Sequence, residues 1–348
     1  MKKIACVGYH GTGAGVIDDL FREFDNVCHG TYEAEIRILH DPDGVSDLEY
    51  HLVKNPHRLG TGIAIKRLIK YGKTQNRQAS KIFGDEWMKM INEYAEDLAL
   101  IKYKGYNEFD LQFAPISNIL VFYAKKVINR LKPLKYRKAP WYNYLPNLES
   151  YYSLLTEKEF LSKTKRFVDK MCAKANKENK EYLMLDQFIS SSNPAQSLKY
   201  IDNVKTIIVD RDPRDLFINQ VLCCSPVLPR EPHAFCVVYR NIRKVFGNDC
   251  KDKVMKVHFE DLIFHYDDYV QKIIDFVGIS ESHHVNKRKF FDPDDSGTRT
   301  QLWLKFPQFK NAIEVIEKEL PEFLYDFPQD IRFKKNTSSS NHHLFGKK

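Results

Sequence analysis

Two short stretches bring together residue types whose spacing suits the chemistry of an anion. In Gly8-Tyr9-His10-Gly11-Thr12-Gly13-Ala14-Gly15, four glycines punctuate a turn between an apolar run at 3–7 and a helical pattern carried by Val16, Ile17, Leu20, Phe21 and Phe24. Glycine reaches positive φ without steric cost and lets backbone N–H groups approach a ligand, while a helix start favours negative charge. Strand, glycine loop and helix in that order make either a phosphate cradle or a tight structural turn. The second stretch, Asp210-Arg211-Asp212-Pro213-Arg214-Asp215, follows an apolar run at 206–209. Arg211 there stands at the carboxyl end of a predicted parallel strand, where open α/β sheets bind ligands. Asn219, eight residues on, lies about two turns into the helix that Pro213 begins. Ion pairs of Arg211 and Arg214 with Asp212 and Asp215 would account for the same residues.

The elements that must hold these stretches follow from hydrophobic periodicity. Helical spacing covers residues 63–71, 87–98, 117–131 and 160–175, and in the second of these Trp87, Ile91, Tyr94 and Leu98 share one side. Apolar runs at 182–185, 206–209 and 254–259 read as strands. They are separated by a Ser/Asn/Pro turn at 190–194 and a helix near 234–245, the spacing of a parallel βαβ sheet. Helices at 262–277 and 308–320 close the pattern. The expectation is an α/β fold: a short parallel sheet flanked by helices, with a helical insertion. Residues 1–53 and 181–335 supply its two halves, 54–180 the insertion, and 336–348 a polar tail.

Composition sets the outer bounds. The chain has 348 residues, 43% hydrophobic and 29% charged, with 23 Phe and 19 Tyr, which suits a folded globular protein. Fifty-four basic against 46 acidic residues leave +8, suited to an anionic ligand but short of a polyanion-coating protein. The seven cysteines lack CxxC spacing, so reduced thiols and a cytoplasmic address are expected. The N-terminus turns glycine-rich too early for a signal peptide, and the most apolar stretch, 116–127, is broken by Ser117, Asn118, Lys125 and Lys126. The most polarised segment holds Lys125, Lys126, Arg130, Lys132, Lys135, Arg137 and Lys138 without an acid, then Trp141, Tyr142 and Tyr144. His283-His284 has no ligand partner at metal spacing and reads as a surface pair, and no metal site is expected.

Together the two stretches resemble the sulfotransferases that use 3′-phosphoadenosine-5′-phosphosulfate (PAPS), most closely the bacterial carbohydrate-type members. A strand-loop-helix of form GxxxSGTT cradles the 5′-phosphosulfate in that family, and Gly8, Thr12, Gly13, Ala14 and Gly15 fall in register with it. A later strand ending in R-x-P-R-D, with Ser eight residues after the first Arg, binds the 3′-phosphate; here these are Arg211, Pro213, Arg214, Asp215 and Asn219. A third landmark, (Y/F)-E-D-L followed by F-(L/V)-G, is matched by Phe259-Glu260-Asp261-Leu262 and Phe276-Val277-Gly278. The resemblance implies a P-loop NTPase-like sulfotransferase fold and metal-free transfer of a sulfuryl group from PAPS to an acceptor hydroxyl or amine. It also implies a Glu or His base shortly after the first helix, for which Glu35 is favoured over Glu33. Ser296 and Arg299 fall where relatives close a C-terminal loop over the nucleotide.

The chain also departs from the pattern. Gly11, next to His10, stands where the family places Lys or Arg, so His10 or a basic group from elsewhere must cover the bridging oxygen. Asn219 replaces Ser but keeps a hydrogen-bonding group. Ala14-Gly15 stands where a Mg-nucleotide P-loop carries Lys-Ser/Thr, which disfavours the alternative of a P-loop kinase. A further alternative is a non-enzymatic polyanion-binding protein using residues 125–144. The acceptor expected from aromatic residues beside cations is a small molecule or oligosaccharide, such as a polysaccharide unit, without nucleic acid as partner.

Overall fold

Residues 1–30, 34–105, 108–136, 148–223, 227–244 and 250–328 are described by a computed structural model of the chain. Glu33, Trp141, Tyr142, Tyr144 and the 336–348 tail lie outside them. In chain order the elements used below are β1 (Lys2–Gly8), α1 (Gly15–Phe21), β2 (Val27–Cys28), α2 (Gly60–Phe83), α3 (Glu86–Leu98) and β3 (Ile101–Gly105). Then come α4 (Ile116–Leu131), β4 (Leu148–Tyr152), α5 (Glu157–Ala175), β5 (Tyr182–Asp186), β6 (Val204–Asp210) and α6 (Pro213–Leu222). Last are α7 (Pro232–Lys244), β7 (Val254–His258), α8 (Phe259–Phe264), α9 (Tyr266–Val277) and α10 (Lys310–Glu319). They fall into two units, Met1–Arg37 with Ala175–Lys348, and Ile38–Lys174.

In the first unit, mainly apolar runs, almost continuously buried in β1 and β5 and with Lys256 exposed on the edge strand β7, form a five-stranded sheet in the order β2-β5-β1-β6-β7, with every neighbouring pair parallel. The α/β fold class read from the pattern is the one found. β1 lies at the centre, pairing β5 along one edge and β6 along the other. The chain therefore crosses from one side of β1 to the other between β5 and β6, which puts a ligand crevice at the carboxyl ends of these strands.

Ile17, Leu20 and Phe21 of α1 pack with Ile4, Cys6, Met184, Ile207 and Val209 of the sheet and with Phe259, Leu262, Ile273 and Ile274 of α8 and α9. Each such aliphatic or aromatic side chain contributes about 1.5–3 kcal/mol when fully buried. A second cluster joins Phe217 of α6, Phe235 and Tyr239 of α7, and Ile313 and Ile316 of α10. The helix read at 262–277 is two helices, divided at His265, whose φ of −129° and ψ of 41° leave the helical region.

His284 corrects the surface-pair reading. It is buried, and its Nε2 meets the fully buried Glu23 carboxylate at 2.7 Å. Glu23 also accepts the N–H groups of Arg288, Phe290 and Phe291, so every lone-pair direction of a buried charge is used. His283 does lie at the surface, against Asp25.

In the second unit α2 and α3 pack closely because Gly72 has no side chain: a Cβ there would stand 2.9 Å from Ile91. The freed space lets Trp87 donate its indole N–H to the Gly72 carbonyl at 2.8 Å. Tyr94 of α3 stacks on Phe167 of α5 at 4.2 Å and bonds Thr164. β3 and β4 form an antiparallel ribbon, Ile101 opposite Tyr152, and α4 belongs to the connection between them.

Candidate active site

The glycine loop follows β1 and takes up three positive φ angles in four residues: His10 at 69°, Gly11 at 72° and Gly13 at 92°. Gly13 lies against Phe259, which a Cβ would strike at 2.7 Å, and Gly11 lies against α6, 2.5 Å from Gln220 Nε2 by the same construction. Thr12 is buried; its hydroxyl donates to Val209 O at 2.7 Å and accepts the Tyr9 N–H. That hydroxyl is thus spent on tying the loop to β6, and what Thr12 can offer a ligand is its N–H. Among the described residues, the N–H groups of Gly11, Thr12, Gly13, Ala14 and Gly15 donate to no protein acceptor. Such a run of unpaired donors ahead of a helix is an anion-binding geometry. His10 beside them has its pKa lowered by burial, against an opposing pull from Glu35.

The two arginines of the second stretch divide their labour. Asp212 caps α6 by accepting Arg214 N–H at 2.8 Å, and Pro213 takes the first helical position. Arg214 is structural: it pairs with Asp212 at 2.8 Å and Glu317 at 3.0 Å and lies 3.9 Å over the Trp303 ring. Asp215 is buried and accepts Gln301 and Leu302 N–H, anchoring the C-terminal segment, and burial pushes its carboxyl up to about 6. The ion-pair account therefore holds for Arg214 and fails for Arg211.

Arg211 is only 4% exposed, and among the described residues no carboxylate forms an ion pair with it, although its charge acts on the buried Asp215 and Glu260 carboxyls and pulls both down against burial. Its Nη1 lies 3.5 Å from Gly11 O, its Nη2 donates to Arg299 O, and its Nε is buried with no acceptor. The guanidinium also lies over the Phe259 ring at 5.0 Å. A single buried cation thus touches the glycine loop, the Phe-Glu-Asp-Leu segment and the 296–301 segment, three stretches far apart in sequence. Arg299 takes part through its backbone, while its side chain is exposed. Ser296 N–H is spent on Asp292 O within a short helical turn. Asn219 projects from α6, its Nδ2 3.7 Å from the Cβ position of Gly11. Glu260 Oε1 accepts Asp212 N–H at 3.0 Å, and burial pushes this carboxyl up to about 8.

On the other side of β1 the carboxyl ends of β2 and β5 carry an acidic group that the sequence reading missed. Asp186, the last residue of β5, is pushed up to about 7 by burial, with the Glu35 and Asp18 carboxylates adding to the effect. Glu35 is exposed and pairs with Arg37 at 3.2 Å. His29, just past β2, meets Asp18 through Nδ1 at 3.0 Å, and its Nε2 is buried without a partner. The position of Asp186 at the end of a predicted strand was the available signal; His29 had none, because β2 is two residues long. Among the described residues no group of His, Cys, Asp and Glu is arranged to hold a metal ion.

The site thus sits at the carboxyl edge of an α/β parallel sheet, with donors on one side of β1 and carboxylates on the other. Among solved structures the chain is similar to a sulfotransferase domain from the Synechococcus PCC 7002 olefin synthase, at 12% identity and a TM-score of 0.43 over 94% of each chain. It is also similar to a sulfotransferase domain from the Curacin biosynthetic pathway, at 10% identity and a TM-score of 0.40 over 94% of this chain and 98% of that one. No family model and no curated protein matches it.

Proposed function

We propose that the chain is a PAPS-dependent sulfotransferase whose acceptor is a carbohydrate hydroxyl. The observation that carries this reading is Arg211: a buried guanidinium with no carboxylate in direct ion-pair contact among the described residues and an unsatisfied Nε is suited to receive an anion, and it lies against a loop of unpaired N–H groups. Two anion-seeking groups so close suit a ligand with a phosphate at each of two positions. The loop N–H groups would hold the phosphosulfate oxygens, and Arg211 with Asn219 the 3′-phosphate. Bound there, PAPS supplies a sulfuryl group that passes from its phosphate oxygen to the acceptor oxygen.

The chain's own part is positioning and proton transfer. The loop donors are fixed in advance, so they meet the charge that spreads over the sulfuryl oxygens without reorganising. Glu35 takes the acceptor proton, and Asp186 beside it, held near neutrality, sets the charge that Glu35 faces. His10, next to the Gly11 that replaces the loop cation and near enough to feel the charge of Glu35, would cover the bridging oxygen. Support for a carbohydrate acceptor comes from sequence alone, from Trp141, Tyr142 and Tyr144 following the basic run.

Thermal stabilisation tests the reading. 3′,5′-Adenosine bisphosphate should stabilise the chain without magnesium, by about 3 kcal/mol at a hundredfold excess over its Kd. Stabilisation by ATP with magnesium alone would favour a kinase. Steeply salt-dependent RNA affinity with no nucleotide response would favour a polyanion-binding protein.

A further inference from the structure

Helix α4 is turned inside out. Ile116, Leu120, Val127 and Leu131 recur at helical spacing along one stripe, and they are 76%, 64%, 56% and 80% exposed. Val121, Tyr123 and Ile128 beside them are exposed as well, as are Leu134 and Tyr136 just beyond. Phe122 is the one buried residue of the helix, and the half-buried Asn118, Ile119, Lys126 and Asn129 lie on its side, so the inward face is the more polar of the two. A surface helix of a globular protein ordinarily does the reverse, burying its apolar stripe and wetting its polar one.

Charge identifies what suits this face. Between Ile116 and Tyr136 the chain has five cations, Lys125, Lys126, Arg130, Lys132 and Lys135, and no acid. At 3.6 residues per turn, Lys132 and Lys125 fall beyond Ile128 and Val121 on one side of the exposed apolar arc, and Arg130 and the half-buried Lys126 on the other. Sixteen residues make a helix of about 24 Å, shorter than the ~30 Å hydrocarbon layer, and its interior cations forbid crossing. No helix among the described residues is long and apolar enough to cross a membrane. A helix with an outward apolar stripe and cations on both flanks is instead built to lie in an interface, its long basic side chains reaching the headgroups. A second copy fits poorly, because pairing this face with itself would oppose five cations to five.

We propose that α4 is a membrane-surface anchor that docks the chain on anionic phospholipid, with the stripe Ile116, Leu120, Val127 and Leu131 entering the headgroup boundary. This docking does not depend on the sulfotransferase reading. The experiment is flotation of the full chain with vesicles of phosphatidylcholine, with and without roughly a third of phosphatidylglycerol. The expected result is recovery at least about tenfold higher on the anionic vesicles, falling as salt rises from about 0.1 M to about 0.5 M. A Leu120→Glu, Val127→Glu double variant changes only exposed positions; it should keep the parent's thermal unfolding and lose the flotation. A Lys125→Gln, Lys132→Gln variant should keep part of the binding with a shallower salt dependence. Equal recovery on neutral and anionic vesicles, no flotation at all, or flotation unaffected by the Glu substitutions would each overturn the proposal. A concentration-dependent dimer dissolved by those substitutions would also overturn it, assigning the face to self-association.

Discussion

Arg211 reaches back from the end of β6 to the carbonyl of Gly11, Nη1 to oxygen 3.5 Å, across two hundred positions of chain. The contact joins the glycine-rich and arginine-rich turns whose spacing suggested a phosphate site, and it does so at the point where the sheet order reverses about β1. Arg214, three residues on, shows what an ordinary arginine in such a turn looks like: two carboxylates and an indole surround it. Arg211, by contrast, has two backbone carbonyls and a phenyl ring around it and an Nε without an acceptor.

The loop glycines are unequal, and stability measurements should show it. Gly13→Ala must bear both a φ of 92° and a 2.7 Å approach to the Phe259 ring, so a loss of about 2 kcal/mol or more is expected. Gly15→Ala meets nothing within 4 Å and has an ordinary φ, so it should be neutral or slightly stabilising. Denaturant midpoints that ranked the two variants equally would contradict the loop conformation.

Three buried carboxyls make stability depend on pH in an unusual direction. Burial raises Asp186 to about 7, Asp215 to about 6 and Glu260 to about 8, so the folded state binds protons that the unfolded chain has already lost. Their stabilising contribution is complete below about pH 4 and disappears as pH rises through about 8. Glu260→Gln keeps an acceptor for Asp212 N–H and should flatten the curve by roughly 1.4 kcal/mol for each pH unit between about 4.5 and 8. Identical pH profiles of the melting temperature for parent and variant would exclude a neutral Glu260.

Turnover should separate the base from its neighbour. Glu35→Gln is expected to lower kcat by about a hundredfold or more while leaving nucleotide stabilisation intact. Asp186→Asn should remove a rise in kcat/KM centred near pH 7, where this carboxyl ionises. Normal turnover by Glu35→Gln would move the proton acceptor elsewhere, and the His29–Asp18 pair would come next.

Much of the donor side was legible because it is written in short, contiguous signals. Apolar runs ending at Gly8 and Asp210 mark strands on their own, and Asp-Pro at 212–213 announces a helix start. What escaped depends on pairing over distance. β2 is too short for a pattern, and β3 and β4 meet only across the long connection that contains α4, with Ile101 and Tyr103 exposed. His284 looked like half of a surface pair because its partner, Glu23, is 261 residues away. The acidic side of the site escaped for the same reason: Asp186, Asp18 and His29 are unremarkable singly and acquire a role only when the sheet aligns their carboxyl edge.

The most direct measurement is calorimetric titration of 3′,5′-adenosine bisphosphate into the parent chain and into Arg211→Ala, with each protein's unfolding recorded beforehand. On the proposed reading, removing the buried guanidinium should weaken binding by about a hundredfold in a variant that still folds. A folded Arg211→Ala protein that binds the bisphosphate as tightly as the parent would contradict the assignment of Arg211, and with it the two-ended grip on which the proposed function depends.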